Sequence, residues 1–304
     1  MKRGRPLAER PDNQKNSTIT DGSSFKGPIA LLQLNSSNVM EDNIKDILSL
    51  IKEAVSGGSK FIATPECSHL MEMNRASVLE KTYFEDDDPG LKALRQSAAD
   101  HGVYILIGSL VIKSGDERLV NRSFLINAMG DIVARYDKIH LFDVDLAGGE
   151  SYHESALYDA GSEGVVAAVS DTDLGLNFGL GMSICYDLRF GYLFRDYASV
   201  GASMLSIPAA FTVQTGEAHW HCLLRARAIE TGCYVIAPAQ VGLHKTGRST
   251  YGHSLVVDPW GKVVAELKDG VGVLFAEIDF AKVIEARQKV PSLQHTRNVK
   301  VFKY

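Results

Sequence analysis

The chain has 304 residues, of which 45% are hydrophobic and 23% charged, and a formal net charge of −5. That length permits one large α/β domain or two small ones with ample core. The acidic balance argues against nucleic acid or an anionic membrane as the main partner, and no apolar run approaches the ~18 residues of a membrane span.

Residues 1–26 are polar and mildly basic with no apolar h-region, which predicts a disordered arm rather than a secretory signal, with the folded domain spanning 27–304. A strand is expected over 29–34. Asn38 with Glu41 three residues on matches a capping box, and Ile44, Ile47, Leu48, Ile51 and Val55 repeat at helical spacing up to Gly57-Gly58. Residues 61–64 form the next strand, running into Pro65-Glu66. A helix over 90–101 precedes a strand over 103–109. Strands 123–128 and 132–135 flank Met129-Gly130-Asp131 as a hairpin.

Beyond Lys138 lies a Gly-rich loop over 147–154. Residues 177–184 are apolar and glycine-interrupted, as in a buried strand, and Cys185 follows them directly. A helix, a strand over 202–207, a helix over 216–231 and a strand over 234–238 come next. A second hairpin (254–257, 262–265) turns on Asp258-Pro259-Trp260-Gly261, and 273–278 closes the sheet. Both halves read strand, helix, strand, helix, strand, hairpin, a duplication of pattern without sequence repeat. Helices alternating with strands, plus two hairpins, imply two mixed sheets covered by helices.

Three strand ends carry ionisable groups. Taken singly, each has an ordinary reading: Cys185 as a small buried residue, Glu66 as a helix N-cap acid, Lys138 as a solvated lysine. Together they form a chemically complete set. A free thiol is only a few per cent thiolate at neutral pH. A neighbouring lysine would lower its pKa, a carboxylate in reach would accept its proton, and the ammonium would stabilise an oxyanion. His219 and His221 lie two apart on a helix and point to different faces, which disfavours a metal chelate. The four cysteines are scattered without a CxxC pair, pointing to reduced thiols in the cytoplasm.

Thr64-Pro65-Glu66, Tyr136-Asp137-Lys138-Ile139-His140-Leu141-Phe142-Asp143 and Ile184-Cys185-Tyr186-Asp187-Leu188-Arg189-Phe190 closely resemble the three signature motifs of the nitrilase superfamily of carbon–nitrogen hydrolases. Runs at 215–220, 224–230 and 251–261 are similar to its Nit-type amidases, the deaminated glutathione amidases and omega-amidases. The resemblance covers about residues 28–297 in the expected order. It implies a four-layer α-β-β-α sandwich that forms a homodimer or higher homo-oligomer, and cofactor-free, metal-free hydrolysis of a linear amide, deaminated glutathione or another omega-amide of a dicarboxylic acid, through a thioester, with ammonia released first. By motif, Cys185 would be the nucleophile, Glu66 the general base, Lys138 the oxyanion-stabilising cation and Glu154 a second glutamate positioning substrate and lysine. The N–H of Tyr186 would complete the oxyanion hole. Tyr186, Arg189 and Phe211 are the expected substrate-binding residues, with Arg189 placed to grip a substrate carboxylate or, equally, to form an internal salt bridge. Gly191-Tyr192 stands where the family usually has Pro-Glu, which puts the local arginine network in doubt. Rival readings are a Cys-His hydrolase drawing on the nine histidines, a nitrilase or N-carbamoyl amidase on the same site, and a non-catalytic scaffold.

Overall fold

The structure is a computed structural model describing residues 23–145, 151–297, 299 and 302–303. In chain order, β1 (Lys26–Gln33), α1 (Met40–Ser56), β2 (Phe61–Ala63), α2 (Arg75–Lys81), α3 (Pro89–His101), β3 (Tyr104–Lys113), β4 (Leu119–Ile126) and β5 (Ile132–Asp137) make the first half. A small hairpin of β6 (Asp143–Asp145) and β7 (Ser151–His153) follows. The second half contains β8 (Val165–Asp171), β9 (Leu176–Met182), α4 (Gly191–Ser199), β10 (Met204–Ser206), α5 (Val213–Thr231) and β11 (Tyr234–Ala237). A hairpin of β12 (Val241–Leu243) and β13 (Ser249–Tyr251) precedes β14 (Ser254–Val257), β15 (Val263–Leu267), β16 (Gly272–Asp279) and α6 (Ala281–Lys289).

The two large sheets share one plan. Their orders are β16-β1-β2-β3-β4-β5 and β15-β14-β11-β10-β9-β8. In each, three central strands run parallel and every outer neighbour is antiparallel. The duplication expected from the element pattern is therefore present in the topology. One expectation changes: residues 273–278 do not extend the second sheet but pair with β1.

Strand alternation builds the layers. In β1, Ile29 and Leu31 face the core shared with the second sheet, while Ala30 and Leu32 pack with Ile47 and Ile51 of α1 and Leu94 of α3. Phe61 and Ala63 repeat the first choice and Ile62 the second. Because both faces are covered, these strands read as unbroken apolar runs. On the far side, Leu193 and Phe194 of α4 and Trp220 and Leu224 of α5 join the central core. The layers are helix, sheet, sheet, helix.

Local expectations shift in three places. The arm assigned to 1–26 lies outside the described residues up to 22; Phe25 is buried, and Ser24 N–H bonds Asn177 O. Helix α1 is not capped by Asn38. Its N-cap is Val39, and buried Asn43 reaches back to accept from Ser37 N–H (2.8 Å) and donate to Ser37 O (2.8 Å). Elements α2, β6, β7, β8, β12, β13 and α6 have no counterpart in the sequence reading; of the Gly-rich loop expected over 147–154, residues 147–150 lie outside the described residues and 151–153 form β7.

Candidate active site

Glu66 reaches the site because β2 turns abruptly at Thr64-Pro65. Gly108 in β3 permits that turn: a Cβ there would lie 2.0 Å from Thr64 O and 2.5 Å from Pro65 O. Thr64 Oγ1 accepts Gly108 N–H at 3.0 Å, which holds the two segments together.

Cys185 opens a 3-10 turn, Cys185–Arg189, just after β9, with a left-handed φ of +49°. A non-glycine residue in that region costs about 1–2 kcal/mol. The surroundings impose it: Cys185 N–H bonds Pro208 O (2.9 Å), and Asp187 accepts Ile184 N–H (2.8 Å). No flanking glycine was needed to make the sharp turn. Asp187 N–H is bonded to Ile184 O, so the N–H of Tyr186 falls between two committed ones at the start of the turn, where helical N–H groups lack partners.

Lys138 is delivered by the end of β5 and is 3% exposed. Its Nζ donates to Glu66 Oε1 (2.9 Å) and to Glu154 Oε1 and Oε2 (3.1 and 2.9 Å). Glu66 Oε1 also accepts from Asn121 Nδ2 (2.9 Å), and its Oε2 accepts Ala210 N–H (2.8 Å). Glu154 Oε2 accepts Phe142 N–H (2.7 Å). The structure thus brings Glu66, Lys138, Glu154 and Cys185 to one wall of a cavity of about 340 Å³, with Tyr186, Phe211 and Ala210 beside them.

The buried charges shift one another's titration. Burial lowers the Lys138 pKa, but Glu154 and Glu66 outweigh it and hold the ammonium charged. Burial raises Glu66, yet the Lys138 charge and hydrogen bond leave the carboxyl below its usual range. Burial and the Glu66 charge push the Cys185 thiol well above its ordinary value, against the pull of Lys138. This corrects the expectation of a lysine-lowered thiol. Two carboxylates face one ammonium, so the thiol of Cys185 is pushed up beside a Glu66 carboxyl that is held down.

Arg189 is placed differently from the expectation. It does not line the cavity; its Nη1 and Nη2 lie 3.3 Å from His219 Nδ1, with Cζ 5.8 Å from the Tyr186 ring and 5.5 Å from the Phe211 ring. Neither does it form a salt bridge among the described residues. His221 Nε2 faces Glu266 (2.8 Å), so the two histidines have separate partners.

Several contributors escaped the sequence reading. Asn121 fixes Glu66 from the middle of β4. Asp187, fully buried, accepts Tyr136 O–H (2.7 Å) and His140 N–H (3.0 Å) and lies 2.7 Å from His140 Nδ1, tying the Lys138 loop to the Cys185 turn. Tyr192 answers the doubt raised by Gly191-Tyr192: its hydroxyl meets His140 Nε2 at 2.6 Å. The available signal was position, since His140 and Asp187 lie within the quoted motifs, two residues after Lys138 and Cys185. Arg248, on the β12–β13 hairpin, is a cation lining the cavity, and nothing local marked it.

The family model for carbon-nitrogen hydrolases matches residues 28–288. A deaminated glutathione amidase of Yersinia enterocolitica is 41% identical over 274 residues, covering 89% of this chain and 93% of that protein. The crystal structure of the Caenorhabditis elegans NitFhit protein superposes with a TM-score of 0.82 at 36% identity, over 90% of this chain and 66% of that one. Saccharomyces cerevisiae Nit3, a member of branch 10 of the nitrilase superfamily, gives a TM-score of 0.76 at 28% identity, over 91% of this chain and 97% of that one.

Proposed function

The chain belongs to the carbon–nitrogen hydrolase family and is an amide hydrolase of the nitrilase superfamily, and from there we propose that Cys185, Glu66, Lys138 and Glu154 carry the reaction on a short amide bearing an acid group. The reading rests above all on Lys138 Nζ held between Glu66 and Glu154 beside a buried thiol. Glu66 takes the thiol proton as sulfur attacks the amide carbon. The oxyanion forms against the Lys138 ammonium and the Tyr186 N–H. Collapse breaks the C–N bond, the proton on Glu66 passes to the leaving amine, and a thioester remains. Water then attacks with Glu66 again as base, releasing the acid and restoring the thiol. Glu154 keeps Lys138 aimed, a task its second anchor at Phe142 N–H suits.

The substrate class follows from two supports: relatives named deaminated glutathione amidase, and a cavity of about 340 Å³, the size of a small-molecule site. Four free thiols fit a reducing cytoplasm. Exposed Ile229 and Trp260, sharing one surface groove, support self-association. Among the described residues, no helix is long and apolar enough to cross a membrane.

The test is intact-mass spectrometry on a slow amide, with ammonia release followed across amides, nitriles and carbamoyl compounds. An acyl adduct on the wild type and none on Cys185→Ala, which has no turnover, is expected. Ordinary activity in Cys185→Ala would overturn the mechanism.

A further inference from the structure

A hydrolase selective for amides carrying an acid needs a cation inside its cavity, and Arg189 is outside it. Arg248 is inside. Its Nη2 donates to Ala210 O (2.5 Å), and the same residue's N–H donates to Glu66 Oε2 (2.8 Å). The guanidinium therefore sits one peptide unit from the catalytic carboxylate. Its Cζ is 5.3 Å from the Tyr152 ring centroid, a second cavity wall.

Two observations separate Arg248 from structural arginines. Arg118, Arg122, Arg135 and Arg227 each face a carboxylate, and Arg75, the other arginine lining the cavity, is exposed and donates to Ala156 O (3.0 Å), whereas Arg248 is half-buried and faces no carboxylate among the described residues. Its Nε is buried without a hydrogen-bond partner. A buried donor left unpaired is costly, and a guanidinium presents a fork that fits a carboxylate. The supporting hairpin is stiff. Buried His244 donates from Nδ1 to Ser36 O (2.8 Å), accepts Thr250 Oγ1–H at Nε2 (2.7 Å), and its N–H bonds Arg248 O (2.8 Å).

We propose that Arg248 binds the carboxylate of the substrate, fixing the far amide carbon over Cys185, in the role that motif spacing assigns to Arg189. This rests on the reading of the substrate as an acid-bearing amide. With the carboxylate on the Arg248 fork, a short carbon chain extends towards the thiol, and a neutral amide of equal length lacks the anchor.

The experiment compares kcat/KM for glutaramate and for its uncharged methyl ester in wild type, Arg248→Gln, Arg248→Lys and Arg189→Gln. Wild type should favour the acid. Arg248→Gln should cut that preference about ten- to a hundredfold, chiefly through KM, with Arg248→Lys between the two. Glutarate, a non-reacting dicarboxylate, should raise the Tm of wild type and not that of Arg248→Gln, a readout requiring no turnover. A preference unchanged in Arg248→Gln but abolished in Arg189→Gln overturns the assignment while the acidic-substrate reading stands. Equal losses on both amides, with glutarate still binding, make Arg248 structural. A wild type that favours the ester sinks both readings.

Discussion

The two halves share one strand plan but contribute opposite kinds of chemistry. The first half's strand ends supply charge: Glu66 after β2, Lys138 after β5, and Asn121 holding Glu66 from β4. The second half supplies the sulfur after β9 and the Ala210 N–H just beyond β10. The residues after β15, the counterpart of β5, are Lys268 and Asp269, both exposed. Duplicated topology brings strand ends together, and side-chain identity alone decides which ends do chemistry. The halves need each other, because the Cys185 thiol of the second is pushed up by burial and by Glu66 of the first, against the pull of Lys138.

Removing the first half's charge should have the largest effect. Lys138→Ala is expected to lower kcat by about 10²–10³ or more with KM little changed. A defect confined to KM would mean that the first half holds substrate rather than the transition state. The pH dependence asks whether the first half sets the sulfur. Because Cys185 is pushed up by burial and Glu66, its alkylation by iodoacetamide should keep rising through pH 9.0, about tenfold per unit. Burial raises Glu66, but Lys138 lowers it further, so the base stays ionised down to its usual 4.5. kcat/KM should therefore hold level from neutral pH towards 4.5 and fall only below it. The stability contributed by that lowered carboxyl is likewise present above its unfolded value and lost as pH falls through the folded one. An acid limb near neutrality would assign the base elsewhere.

Asn121→Ala leaves Glu66 Oε1 to Lys138 alone and should lower kcat about tenfold, the worth of one charge-assisted hydrogen bond. Thermal unfolding should shift little by comparison; a large Tm loss with normal kcat would make Asn121 structural. The smallest effect tests the tether between halves. Tyr192→Phe removes the His140 partner but leaves the buried Asp187 clamp, and a fall in kcat of a few-fold is expected. A loss as large as that of Lys138→Ala would mean the outer end of the tether controls the lysine.

What the sequence disclosed follows from what is local. Strands with both faces covered, such as 29–34 and 61–64, announce themselves as apolar runs. Glu66, Lys138 and Cys185 sit in contiguous motifs. Strand β8 was hidden because its residues alternate between buried and exposed behind a polar loop. Elements β12 and β13 are three residues each. Asn121 and Arg248 were invisible for a different reason: their partners lie 55 and 38 residues away, and only strand register and hairpin placement join them. The thiol's resting state depended on counting charges in three dimensions, which one neighbouring lysine could not reveal.

The pairing of β16 with β1, eight residues in register from Lys26↔Asp279 to Gln33↔Gly272, has a consequence for how the molecule comes to be made. During synthesis the first sheet emerges with the apolar strand Ile29-Ala30-Leu31-Leu32 open on the side away from β2 until residues 272–279 have also left the ribosome. An unpaired apolar edge invites pairing with other chains. Nascent-chain chaperoning should therefore matter most for the half that carries the charges, and the sheet bearing Glu66 and Lys138 is the last to be closed.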